Sequence, residues 1–133
     1  MEWTESLELG LNQMDDTHRE FVDLLNRLAD APDEGVSAAF EALFAHTLAH
    51  FEQEDRWMAE IDFPPAHCHH AEHEGVLEAM REVRGYLAEG KLEVGRVLAR
   101  ELAEWFRGHA ATMDTMLAHF LRARKAPASP VAV

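Results

Sequence analysis

Five histidines and two carboxylates stand along this chain at the spacing of metal ligands: His18 alone, His50 with Glu54, His69 with His73, and His109 with Asp114. Residues four apart on a helix differ by roughly 40° in direction and rise by roughly 6 Å. His50 with Glu54, and His69 with His73, can therefore each aim two donors at one interior point. His109 and Asp114 are five apart, roughly 140° around a regular helix. They reach a common point only from its two sides or through a π-type irregularity.

The neighbours of all seven are apolar at helical spacing, which assigns these polar side chains to the core. An unpaired buried histidine or carboxylate is costly, and a buried charge more so. A single intrusion of this kind is ordinarily met by a hydrogen bond. Seven, spread over four segments, require a shared partner. Two cations about 3.5–4 Å apart provide it, because each imidazole lone pair and carboxylate oxygen then faces positive charge. The donor set is rich in histidine and poor in carboxylate, which suits iron, copper or zinc. Two rival motifs fail on spacing. The zinc-protease helix needs glutamate after its first histidine, and His69 is followed by His70. Ferritin-like carboxylate sites need glutamate three residues before histidine, and no histidine here has one.

Four segments carry the stripes that must position this set. The first runs from about Met14 to Ala29 and ends before Ala31-Pro32-Asp33, since proline cannot continue a helix. The second runs from about Glu34 to Ile61, stopped by Pro64-Pro65; the third from about Ala66 to Ala88, followed by Gly90 in a left-handed cap position. The fourth runs from about Leu92 to Arg122. Nothing reads as a strand. Short connections predict antiparallel neighbours, and so an all-α, up-down-up-down four-helix bundle. Residues 1 to about 12 form an irregular arm with Trp3, Leu7, Leu9 and Leu11, expected to lie across the bundle. The domain is read as 1–124, with 125–133 a disordered tail containing two prolines.

The bulk composition narrows the partners. With 133 residues and 47% hydrophobic content, the chain can bury one real core. A net charge of −13 argues against nucleic acid and against an anionic membrane surface. No apolar run is long enough to span a bilayer, and Met1-Glu2-Trp3 opens no signal peptide, so a cytoplasmic location is expected; a monomer is expected as well. The single cysteine, Cys68, has no internal disulfide partner and is read as a spectator. His46 shares the face of His50 and is read as a rim residue; His67 and His70 fall off the stripe; His119 sits near a helix end, where a cation suits the dipole.

Taken together, His18 within Met14-Asp15-Asp16-Thr17-His18, His50-Phe51-x-x-Glu54, His69-x-x-x-His73 and Trp105-x-x-x-His109-x-x-x-x-Asp114 resemble the hemerythrin signature over roughly residues 1–121. The resemblance implies two iron ions. His69, His73 and His109 would hold one and His18 and His50 the other, with Glu54, Asp114 and an oxo or hydroxo group as bridges. It also implies reversible dioxygen binding at the two-histidine iron, in a pocket walled by Phe51, Trp57, Trp105 and Phe106. The family commonly has isoleucine after the helix-four histidine; here Ala110 stands there, and the smaller side chain is expected to widen the pocket and to speed autoxidation or admit other ligands. The leading expectation is an oxygen carrier, store or buffer that is not an enzyme and that serves an oxygen-consuming enzyme. The alternatives are a di-iron oxidase or peroxidase, an oxygen or nitric oxide sensor, and a zinc or mixed-metal structural bundle.

Overall fold

A computed structural model describes the backbone of residues 1–131 and the side chains of residues 1–124. The tail expected to be disordered, 125–133, lies outside the residues described in full. The helices are α1 (Asn12–Ala29), α2 (Val36–Glu60), α3 (Ala66–Ala88), α4 (Glu93–His109) and α5 (Thr115–Val131). Between the last two, Ala110–Asp114 is a π-helical segment with right-handed helical backbone on both sides, so α4 and α5 continue one rod. Among the described residues there is no strand. α1 packs on α2 and α4, and α3 packs on the same pair, closing a ring of four rods joined by short connections. The up-down-up-down bundle read from the stripes is the fold observed.

Local chemistry sets the helix ends. α3 ends at Gly90, whose φ of 82° is the left-handed conformation that glycine adopts at no steric cost. The Lys91 amide then bonds back to the Tyr86 carbonyl at 3.0 Å, satisfying an orphan acceptor of the last turn. α2 stops the same way with a non-glycine residue. Asp62 takes φ 50°, and the Phe63 amide reaches the Met58 carbonyl at 3.0 Å while Phe63 packs with Met58. That closure, rather than Pro64-Pro65 alone, turns the chain into α3.

The N-terminal arm lies across the bundle, as its apolar residues demand. Asp15, in the first turn of α1, accepts the amides of Leu9 at 2.7 Å and Gly10 at 3.2 Å, and Arg122 donates to the Leu9 carbonyl. Arg19 covers the Trp3 ring at 5.0 Å.

The apolar interior falls into two clusters. The larger contains Phe21, Leu25, Phe40, Phe51, Met80, Leu102 and Phe106; the smaller contains Leu9, Met14, Met58, Phe63, Leu117 and Leu121. On each helix the polar donors sit where the chain passes from one cluster to the other: His18 between Met14 and Phe21, Glu54 between Phe51 and Met58, Asp114 between Phe106 and Leu117. The bundle thus contains a polar layer sealed between two apolar ones.

Candidate metal centre

All seven sequence-selected donors meet in that layer, and all are buried; His18 and Asp114 have no exposed surface at all. The π segment solves the awkward spacing of the last pair. Widening the turn to five residues stacks Asp114 above His109, and His109 Nε2 lies 3.2 Å from Asp114 Oδ1. Thr115 supports the widened turn by donating its hydroxyl to the Ala110 carbonyl at 2.7 Å.

The contacts sort themselves atom by atom. Glu54 Oε1 faces His69 Nε2 at 3.2 Å and His73 Nε2 at 3.1 Å, whereas Glu54 Oε2 faces His18 Nε2 at 3.3 Å and His50 Nε2 at 2.9 Å. Asp114 divides the same way: Oδ1 faces His69 and His109, each at 3.2 Å, and Oδ2 faces His18 at 3.3 Å. Two carboxylates therefore span two histidine groups, one of three and one of two. Two donors each about 2.1 Å from one ion and at right angles lie about 3.0 Å apart, close to these separations. Glu54, His69, His73 and His109 form one group able to hold a cation, and His18, His50 and Glu54 another.

The hydrogen-bond ledger also asks for cations. Both Asp114 oxygens, His73 Nε2 and His109 Nε2 are buried without a hydrogen-bond partner. A sealed carboxylate with neither oxygen satisfied is strongly unfavourable unless positive charge faces it. Residues of this kind, in this arrangement, fit a two-metal site.

Ionisation follows the same geometry. Burial opposes the charge on Glu54, but the His50 charge and hydrogen bonds from His18, His50 and His69 outweigh it and hold the carboxyl well below its usual range. Burial and the Glu54 charge push Asp114 up; the close approach of His109 and His69, each at 3.2 Å, prevails, and it too is lowered. Burial opposes protonation of His69, yet its contacts with Asp114 and Glu54 lift its pKa to about 9. His18 and His109 are raised as well, against the same burial cost, His18 by Glu54 and Asp114 and His109 by Asp114 and Glu72. His73, which faces Glu54 but not Asp114, is lowered chiefly by burial. The three histidines beside Asp114 are the three whose protonated form is favoured.

Aromatic rings seal the layer. Phe51 stacks on His73 at 3.9 Å and Trp105 on His109 at 4.4 Å, while Phe106 meets His18 edge-on at 5.0 Å. Ala110 is buried and forms part of the floor of a cavity of about 560 Å³ beneath the arm, with Leu7, Leu9 and Arg107. Trp57 stands elsewhere. It packs with Leu11, Ile61 and Ala66 against the smaller cluster. Phe21, read from sequence only as a stripe residue, meets His50 at 5.7 Å and Phe106 at 5.2 Å; its place one helical turn after His18 was the available signal. His46 is half-buried at 6.0 Å from the His50 ring and bonds Glu20 at 3.1 Å. Cys68, His67, His70 and His119 are exposed. Sequence reading missed Glu72 and Asp55, which approach His109 and His73 from outside at 2.9 and 3.5 Å. No periodicity marks such residues.

Comparison with known proteins gives the following. The profile of the hemerythrin HHE cation binding domain family matches residues 9–121. A protein named bacteriohemerythrin from Ralstonia nicotianae is 44% identical over 124 residues, spanning 93% of this chain and 90% of that one. Another of the same name from Aquifex aeolicus is 31% identical over 114 residues, spanning 81% and 87%. Among solved structures, a crystal structure of wild-type hemerythrin superposes with a TM-score of 0.83 at 22% identity, spanning 91% of this chain and 97% of that one, a likeness of fold.

Proposed function

The chain belongs to the hemerythrin HHE cation binding domain family, and from that premise we propose that it binds dioxygen reversibly at a centre of two iron ions. In this reading it is a carrier, store or local oxygen buffer and not an enzyme. His69, His73 and His109 would hold one ion and His18 and His50 the other, with Glu54 and Asp114 serving both. The single observation that carries the reading is the division of both carboxylates, oxygen by oxygen, between a group of three imidazoles and a group of two.

When bound, the irons supply the electrons on which reversible dioxygen uptake depends. The rest is the work of the chain. Glu54 and Asp114 are held as anions, so they offset cationic charge without first losing protons. The two-histidine end has fewer protein donors and is where an external ligand is received. Phe21, Phe51 and Phe106 surround His18 and His50 there and keep water and reductants out, which favours return of the bound gas over further reaction. The negative surface charge keeps the protein off nucleic acid, and among the described residues no helix is long and apolar enough to cross a membrane.

The test is anaerobic loading with ferrous iron followed by admission of air and degassing. Two irons per chain, with an absorption band that appears under oxygen and disappears on degassing, support the proposal. Irreversible oxidation that consumes added reductant refutes carriage in favour of the oxidase or peroxidase alternative. Loss of iron in His73→Ala, with helical content retained, ties the ions to these residues.

A further inference from the structure

The two ends of the polar layer differ on their outer sides. At the three-histidine end, His109 Nδ1 donates to Glu72 Oε1 at 2.9 Å, a bond from α4 to α3. Trp105 stacks on the same ring, so both plane and direction are set. His73 Nδ1 lies 3.5 Å from Asp55 Oδ1, and neither atom has a hydrogen-bond partner, so the nearest acid to that nitrogen is Asp55. Asp55 is itself fixed through its other oxygen by His70 Nδ1 at 3.1 Å. At the two-histidine end, the Nδ1 atoms of His18 and His50 have no partner among the described residues, and their rings meet Phe106 and Phe21 instead. His69 Nδ1 is also unpartnered.

We propose that Glu72 and Asp55 are positioning residues which make the three-histidine end the tighter of two unequal iron sites, so that iron enters there first and leaves there last. The proposal rests on the metal reading above. A carboxylate accepting the Nδ1 proton fixes the tautomer in which Nε2 carries the lone pair, and it increases the electron density that nitrogen offers a cation. Three imidazoles already outnumber two, and the outer acids act on the larger group alone. Glu72 is 41% exposed and bonds from the surface, so it is removable without opening the core.

The experiment uses the whole chain. Ferrous iron is added anaerobically in substoichiometric steps and the one-iron and two-iron species are counted by native mass spectrometry. A ferrous chelator then strips the loaded protein while release is followed optically. The parent is expected to accumulate a one-iron species and to release iron in two phases. In E72Q, and in the double variant with D55N, the slow phase is expected to accelerate about 10- to 100-fold, the usual cost of losing an outer-shell partner, with the fast phase within twofold of the parent. E72D restores the slow phase in part. Glu78→Ala removes one exposed charge from the same helix and changes neither phase. A slow phase unmoved in E72Q and in the double variant, or both phases moving together, overturns the inference alone. A parent that takes up no iron overturns the metal reading and this inference with it.

Discussion

Replacing Asp114 by asparagine is the sharpest probe of the polar layer without metal. The substitution keeps the shape and removes one charge from a site with no exposure. Asp114 faces His18, His69 and His109 within 3.3 Å, and those are the histidines whose protonated form the fold favours. For His69 the pKa rises from 6.5 to about 9, so the folded state holds its proton more tightly than the unfolded chain does. Such a shift contributes stability that is fully present below pH 6.5 and is lost as pH climbs through 9. At pH 7 a group moved that far contributes about 2–3 kcal/mol. Glu54 supplies part of the lift, so Asp114→Asn should cost the metal-free protein about 1–3 kcal/mol near neutrality, in line with breaking a buried ion pair when the stranded imidazole can deprotonate. The assay is urea unfolding of chelator-treated parent and variant at pH 6.5 and pH 10. The two unfolding midpoints should be well separated at pH 6.5 and draw together at pH 10. Equal separation at both values refutes the argument, because the loss would then be packing and not charge.

Three further outcomes are expected. Loading the metal-free protein with ferrous iron at pH 7 in weak buffer should release about one proton or more per chain, because His69 must surrender its proton to become a ligand; an indicator dye that registers no release contradicts this. Ala110→Ile, which fills the floor of the cavity beneath the arm, should slow autoxidation of the oxygenated protein severalfold; an unchanged rate removes any role for the small residue. Asp15→Ala strands the Leu9 and Gly10 amides and should cost about 1–3 kcal/mol, seen as a lowered thermal midpoint together with faster hydrogen exchange confined to the arm. Unprotected arm amides in the parent itself count against that reading.

The fold and its donors were legible because polarity in a helix stripe is conspicuous. His18, His50, Glu54, His69, His73, His109 and Asp114 each replace an apolar residue in a rhythm that otherwise predicts the core. The five-residue step from His109 to Asp114 reads as a defect in a regular helix, and the π segment is the backbone's answer to it. Gly90 announced the end of α3 because left-handed backbone favours glycine. Asp62 gave no such sign: its left-handed conformation depends on Phe63 packing with Met58, a tertiary contact. Trp57 shares the stripe of Glu54 but lies beyond the boundary between the two apolar clusters, and a stripe gives direction without depth. Glu72 and Asp55 were invisible for a related reason, since exposed acids abound here and only the docking of neighbouring helices decides which of them meets an imidazole.

The layer between the two clusters draws donors from every rod, from the first turns of α1 to the last residue of the π segment. Neither donor group is complete within one helix. On the metal reading proposed above, filling both sites would therefore wait until all four rods have docked. Uptake of two ions would then act as a checkpoint on completed assembly, and prising away α2, whose Glu54 serves both groups, would open both together.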